Sequence, residues 1–161
     1  METGNKISLA SEYFNKAYDL HLKGKIDGAI KNYKLSIELY PTAKAHTYLG
    51  WAYSLRGNFE EAIEECRVAI ELDPDYGNPY NDIGSYLINL KRFDEAIDWL
   101  EKALEINDYE TKHYPLYNLG RIYERKGEWG AAMKYYAEAI KINPDYEVAK
   151  NALIRLTAMM N

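Results

Sequence analysis

The stretch Thr47–Pro74, TYLGWAYSLRGNFEEAIEECRVAIELDP, decides the fold. It reads as two short amphipathic helices joined by a turn at Arg56-Gly57-Asn58. Within it, Leu49-Gly50 is followed by Tyr53, Gly57, Ala62, Ala69 and Pro74. Downstream, Ile83-Gly84 is followed by Leu87, Ala96 and Ala103, with Asp108 where a proline would stand. Further on, Leu119-Gly120 leads to Tyr123, Gly127, Ala132, Ala139 and Pro144. Upstream lies the most worn copy: Ala17, Leu20, Gly24, Ala29, Ser36 and Pro41. The central small residue recurs as Ala29, Ala62, Ala96 and Ala132, close to a period of about 34 residues.

Four in-register copies of this pattern resemble the tetratricopeptide repeat (TPR) family over nearly the whole chain. The matching positions are small residues that let two helices approach, Gly50, Gly84 and Gly120 on one and Ala62, Ala96 and Ala132 on the other. Large fillers, Tyr53, Phe59, Phe93, Tyr123 and Trp129, surround them. The resemblance implies an all-α, right-handed α-α superhelical solenoid of four helix pairs plus a C-terminal capping helix. The expected organisation is a flexible N-terminus over 1–8 and a single domain over 9–161. Its repeats fall at about 10–42, 43–76, 77–112 and 113–146, with the cap at 147–160. Each repeat buries its apolar face on its neighbours, so three or more are needed for stability.

The apolar fraction of 47% fits a globular chain and argues against disorder. The net charge of −5, without a basic stripe, disfavours nucleic acid as a partner, since phosphate contacts dominate that affinity. No apolar run reaches membrane-spanning length, and METGNKISLASEYF holds no signal-peptide core. A soluble, cytoplasmic protein is expected. The single cysteine, Cys66, takes the larger-residue position held by Tyr33, Leu100 and Tyr136 in the other copies, which predicts a buried packing role.

Along the chain, helices are predicted at about 9–23, 26–39, 43–56, 59–72, 79–90, 93–106, 115–126, 129–142 and 147–160. Ser8 or Ser11 is a candidate cap for the first helix, and Gly24 closes it in a left-handed conformation. Asn78 is a good N-cap with Pro79 at the first helical position. Lys91-Arg92 replaces the glycine turn, so a non-glycine residue must take that conformation. The spacing from Ala96 to Ala132 is two residues longer than that from Ala62 to Ala96. The extra length lies in Asn107–Pro115, as a change in superhelix geometry or an earlier helix start. The last helix is expected to turn Lys150, Asn151 and Arg155 outward, with Ala149, Leu153, Ile154 and Leu156 along its inner side.

Nothing in the letters assembles a catalytic or metal site. His21, His46 and His113 lie in three different repeats without helical pairing. The run Glu60-Glu61 with Glu64-Glu65 reads as a solvated helix face favoured by the helix dipole. No phosphate loop, nucleophile elbow or HExxH motif occurs. A non-enzyme without cofactor is expected.

In this family the first helices of successive repeats line a concave groove. By helical phase these positions are Phe14, Tyr18 and His21; Lys44, Thr47, Trp51 and Ser54; Asn78, Asn81, Ser85 and Asn89; then Tyr114, Tyr117, Arg121 and Arg125. Aromatics and arginine suit interface hot spots, and asparagine can bond an extended backbone. Tyr18, Trp51 and Tyr117 fit a plain packing role between repeats equally well. Some family members hold a chaperone's C-terminal carboxylate with a clamp of Lys, Asn, Asn, Lys and Arg. The matching positions here read Phe14, Tyr18, Tyr48, Asn78, Asp82, or one repeat later Thr47, Trp51, Asp82, Tyr114, Asn118, so that clamp is absent. The expected function is an adaptor that binds a peptide or helical segment of a protein partner in the groove, as a monomer or weak homodimer. The alternative is a structural unit that self-associates through its terminal helices.

Overall fold

A computed structural model describes residues 2–161. Among the described residues there are nine α-helices and no strand. They run α1 (Thr3–Leu22), α2 (Ile26–Leu39), α3 (Ala43–Leu55), α4 (Phe59–Leu72), α5 (Asn78–Asn89), α6 (Phe93–Glu105), α7 (His113–Arg125), α8 (Trp129–Ile142) and α9 (Glu147–Met160). Each odd helix packs on the even helix after it, each pair packs on the next, and α9 packs on α8. The result is a solenoid in which each repeat's core is shared with its neighbours.

The small residues do what their spacing requires. Ala29, Ala62, Ala96 and Ala132 are fully buried, and so are Tyr33, Cys66, Leu100 and Tyr136 one turn further on. Each of these larger side chains lies across from the small residue of the partner helix. A Cβ added at Gly84 would sit 2.5 Å from Cγ and Cδ2 of Leu100, and one at Gly120 would sit 2.5 Å from Cε1 of Tyr136. At Gly50 it would meet the Ala62 carbonyl oxygen at 2.9 Å and the Cys66 Sγ at 3.3 Å. Cys66 is thus a packing residue, and burial pushes its thiol pKa well above the ordinary value.

Each repeat turns between its two helices through the same double hydrogen bond. The Lys25, Asn58, Arg92 and Glu128 amides donate to the Leu20, Tyr53, Leu87 and Tyr123 carbonyls. The residue before each amide donates one turn shorter, which makes four Schellman closures. Gly24, Gly57 and Gly127 supply the left-handed residue; in the third repeat Lys91 does, at φ 59°. Across neighbouring repeats a recurrent ion pair links each turn to the previous even helix: Arg56 to Asp27, Arg92 to Glu60 at 3.1 Å, and Lys126 to Asp94 at 2.6 Å. These pairs are exposed, so water screens them and each adds little to stability.

Several boundaries depart from expectation. The first helix begins at Thr3, not near residue 9, so the lead expected to be flexible over 1–8 is helical from Thr3; Met1 lies outside the described residues. Once α1 is nucleated by its packed residues, extending it through 3–8 meets no proline and little cost. Ser8 and Ser11 are therefore interior, and Glu2 occupies the cap position. Asn78 is the first residue of α5 rather than its cap; Gly77 precedes it, and the Asn78 amide donates to the Tyr76 hydroxyl at 2.9 Å. The long junction does not lengthen α7, which has 13 residues like α3; α7 simply starts at His113 instead of 115. The extra residues form the loop 106–112, which carries Tyr109 into the core. On α9 the inner side is Ala149, Ala152 and Leu156, while Ile154 is 66% exposed, contrary to the expected face. Arg155 reaches back to Glu124, donating at 2.6 and 3.0 Å.

Candidate functional site

The central feature is a cleft of about 690 Å³ between α3, α5 and the start of α7. Helical phase builds two of its walls. On α5, Asn78, Asn81, Asp82, Ser85 and Asn89 recur at three- and four-residue steps and fall on one face. On α3, Thr47, Tyr48, Trp51, Ser54 and Leu55 do the same. Phe59 and Tyr86 close the end near the turns; Tyr109, Thr111 and Tyr114 form the side toward repeat four.

Of the groove positions named from the sequence, Thr47, Trp51, Ser54, Asn78, Asn81, Ser85, Asn89 and Tyr114 share this cleft. Trp51 and Tyr114 are 37% and 42% exposed, so their rings are not used up by packing. Thr47 is buried, with its hydroxyl donating to the Ala43 carbonyl at 2.8 Å. Asn89 donates to the Ser85 carbonyl at 3.0 Å and remains exposed. Phe14 and Lys44 lie instead in a separate hollow of about 380 Å³ near the N-terminus, the Lys44 ammonium 5.0 Å from the Phe14 ring centroid. Tyr18 sits edge-on to Tyr48 at 5.7 Å. Tyr117, Arg121 and Arg125 line neither space. Tyr117 packs on Tyr136 and Tyr146, and Arg125 stands over Phe93. Arg121 donates to the Asn118 side-chain Oδ1 at 3.0 Å, and the Asn118 Nδ2 donates to the Asn81 Oδ1 at 3.0 Å, a polar ladder from α7 to α5.

The sequence reading missed Tyr48, Leu55, Phe59, Asp82, Tyr86, Tyr109 and Thr111 as lining residues. Asp82 was legible by phase, four residues after Asn78. Tyr109 was legible by recurrence, because Asp75-Tyr76, Asp108-Tyr109 and Asp145-Tyr146 mark the same inter-repeat turn. At 7% exposed, Tyr109 lies against Gly77, where a Cβ would come within 2.4 Å of its ring.

Electrostatically the cleft is acidic and poor in cations. Burial pushes the Asp82 carboxyl up to about 7, against a smaller opposing pull from the neighbouring Asn81 side chain. Burial also raises Tyr76 to about 12, against its bond from Asn78. The histidines stay apart. His21 is buried on the Trp51 ring at 3.9 Å, with Nδ1 3.2 Å from the Tyr33 hydroxyl and its pKa lowered by burial. His46 bonds Glu65 at 2.6 Å, and His113 packs on Tyr114 and Tyr146. Among the described residues no group of three His, Cys, Asp or Glu could hold a metal ion, and no helix is long and apolar enough to cross a membrane.

Tetratricopeptide repeat models match residues 8–41, 43–76 and 75–145. The chain is 28% identical over 105 residues to small glutamine-rich tetratricopeptide repeat-containing protein 2 of Mycosarcoma maydis, covering 65% of this chain and 26% of that protein. It is 26% identical over 131 residues to the BBSome complex member BBS4 of Bos taurus, covering 81% and 25%. The chain thus spans about a quarter of the length of these curated relatives. Among solved structures it is similar to PilF of Pseudomonas aeruginosa, with a TM-score of 0.88 at 20% identity over 97% of this chain and 71% of that one. With its four Schellman-closed helix pairs and family matches from residue 8 to residue 145, the chain belongs to the tetratricopeptide repeat family.

Proposed function

We propose that this chain is a protein-interaction adaptor that binds an extended or helical segment of a partner protein in the cleft between α3, α5 and α7, without chemistry of its own. The observation that carries it is the coincidence of a roomy concave cleft with half-exposed Trp51 and Tyr114 rings and the amides of Asn78, Asn81 and Asn89. Rings that packing leaves half open offer hot-spot area, and side-chain amides can pair with a peptide backbone. An affinity near micromolar, roughly −8 kcal/mol, suits such a groove. The test is panning a random dodecapeptide library on the wild type and on a Trp51→Ala/Tyr114→Ala variant. Peptides enriched on the first and lost on the second, with helicity unchanged, support the reading. Enrichment that is indifferent to both changes sinks it.

A second reading rests on the C-terminal end. Leu153, Ile154, Thr157 and Ala158 bound an apolar hollow of about 430 Å³ on α9, and Met159 and Met160 are exposed beside it. Exposed apolar surface of this kind suits an interface between copies or with a further helix. Light scattering over a concentration series, repeated with Ile154→Glu, tests it; a monomer at all concentrations removes this reading.

A further inference from the structure

We infer that Asp82 anchors a cation-receiving subsite: a lysine or arginine side chain of the bound segment enters the cleft between α3 and α5 and sets its charged end against the Asp82 carboxylate. This rests on the cleft being the binding surface and adds what the bound segment must carry.

Asp82 lies at the middle of α5, half-buried, on the face that lines the cleft. The ion pairs among the described residues all lie elsewhere, so no lysine or arginine stands within 4.0 Å of it. The fold makes little use of this charge: Asp82 caps no helix and bridges no repeats. A carboxylate removed from water without a counter-charge is costly, and an arriving cation relieves that cost. The surrounding rings suit the rest of such a side chain. Tyr48 and Trp51 can cover an aliphatic stem and offer ring faces to an ammonium or guanidinium, while the buried Tyr86 and Tyr109 line the same space. The nearby cations are already engaged and point elsewhere, Arg121 to Asn118, Arg125 over Phe93 and Lys44 over Phe14.

Binding through this carboxylate is linked to pH. The groups facing Asp82 are Tyr48 from α3, Cys66 from α4, Tyr76 before α5, Tyr86 on α5 and Tyr109 from the 106–112 loop. Burial raises the pKa of all five, so none titrates near neutrality. His21, behind Trp51, has its pKa lowered by burial. Because Asp82 ionises near pH 7 in the free protein, a cationic ligand expels a proton on binding. Its affinity should rise about tenfold from pH 6 to pH 8.

The test uses the peptides selected on the wild type, synthesised with acetylated N-termini so that only side chains supply a cation. The expected result is a fixed Lys or Arg position whose replacement by norleucine weakens binding about tenfold or more. In Asp82→Asn, with helicity retained and the melting temperature no lower than that of the wild type, the two peptides should bind alike. In the wild type the lysine peptide should follow the pH rise while the norleucine peptide stays flat. If Asp82→Asn does not fold, the wild-type pH comparison decides alone. Peptides that need Trp51 and Tyr114 but show no Lys or Arg preference, or a lysine peptide with a flat pH profile, overturn the subsite and leave the cleft reading standing. Peptides indifferent to Trp51 and Tyr114 overturn both.

Discussion

Replacing Gly84 by alanine should destabilise this protein, although the same change in an open helix stabilises it. Alanine exceeds glycine in helix propensity by about 1 kcal/mol. Opposing that gain, the new Cβ would lie 2.5 Å from both Cγ and Cδ2 of Leu100, and Leu100 is itself fully buried. The branch carbon Cγ cannot swing aside as a chain end could, so α5 and α6 must part. Overpacking of this kind costs about 1–3 kcal/mol. The net loss should reach up to about 2 kcal/mol, or as much as roughly 8 °C in melting temperature for a chain of this size. Gly130, near the start of α8, has nothing within 4 Å of its Cβ direction, so Gly130→Ala should gain up to about 1 kcal/mol. Leu100→Ala alone should cost about 2–5 kcal/mol. In that background Gly84→Ala should turn neutral or stabilising, with a coupling of about 0.5–3 kcal/mol. Urea unfolding followed by far-ultraviolet circular dichroism measures all four variants. A Gly84→Ala protein as stable as Gly130→Ala, or equal effects of Gly84→Ala with and without Leu100, would refute the close-approach account.

Lys91→Gly should stabilise the fold by roughly 0.5–1 kcal/mol, seen as a higher urea midpoint, because Lys91 holds φ 59° where the other repeats place glycine; an unchanged or lower midpoint argues against strain at that turn. Removing 147–161 should lower the melting temperature and promote aggregation, since it strips Ala149, Ala152 and Leu156 from the α8 face and frees Glu124 from Arg155; an equally stable, non-aggregating truncation contradicts this. Asp82 has a folded pKa of about 7, above the unfolded value, so the folded state holds the extra proton between about pH 4 and 7 and loses stability as pH rises through that window. The stability advantage of Asp82→Asn over the wild type should therefore grow from pH 5 to pH 8, and a difference constant with pH rules out the desolvated carboxylate. Glu124 runs the other way. Hydrogen bonds from Arg155 lower its pKa, so Glu124→Gln should cost stability at pH 7 and cost less as acid protonates the wild-type carboxylate; a cost unchanged at pH 3 would contradict it.

Much of the solenoid is legible in the letters because its contacts are local and repeated. Four alanines near a fixed period, a glycine or large residue across from each, and a turn residue one helix later leave little choice of pairing. The bounds of α2, α4, α8 and α9 follow from that pattern alone. The position of the non-glycine turn was legible too, because Lys91-Arg92 stands where the other copies have glycine.

The groove was legible only as a set of phases. Phase names which side of a helix faces inward, but not how far apart successive inner faces stand. That distance depends on junction length, and the loop 106–112 swings Tyr109 against Gly77 and brings Tyr114 to the cleft while leaving Tyr117, Arg121 and Arg125 outside it. The same tertiary packing leaves Trp51 half open over His21 and half-buries Asp82 without giving it a cation. The sequence by itself determined the repeat, the helix pairs and the small-residue seams, since those depend on neighbours within one period. The tertiary structure alone decided which inward residues share one space and what charge that space presents, because burial and desolvation arise from side chains brought together across repeats.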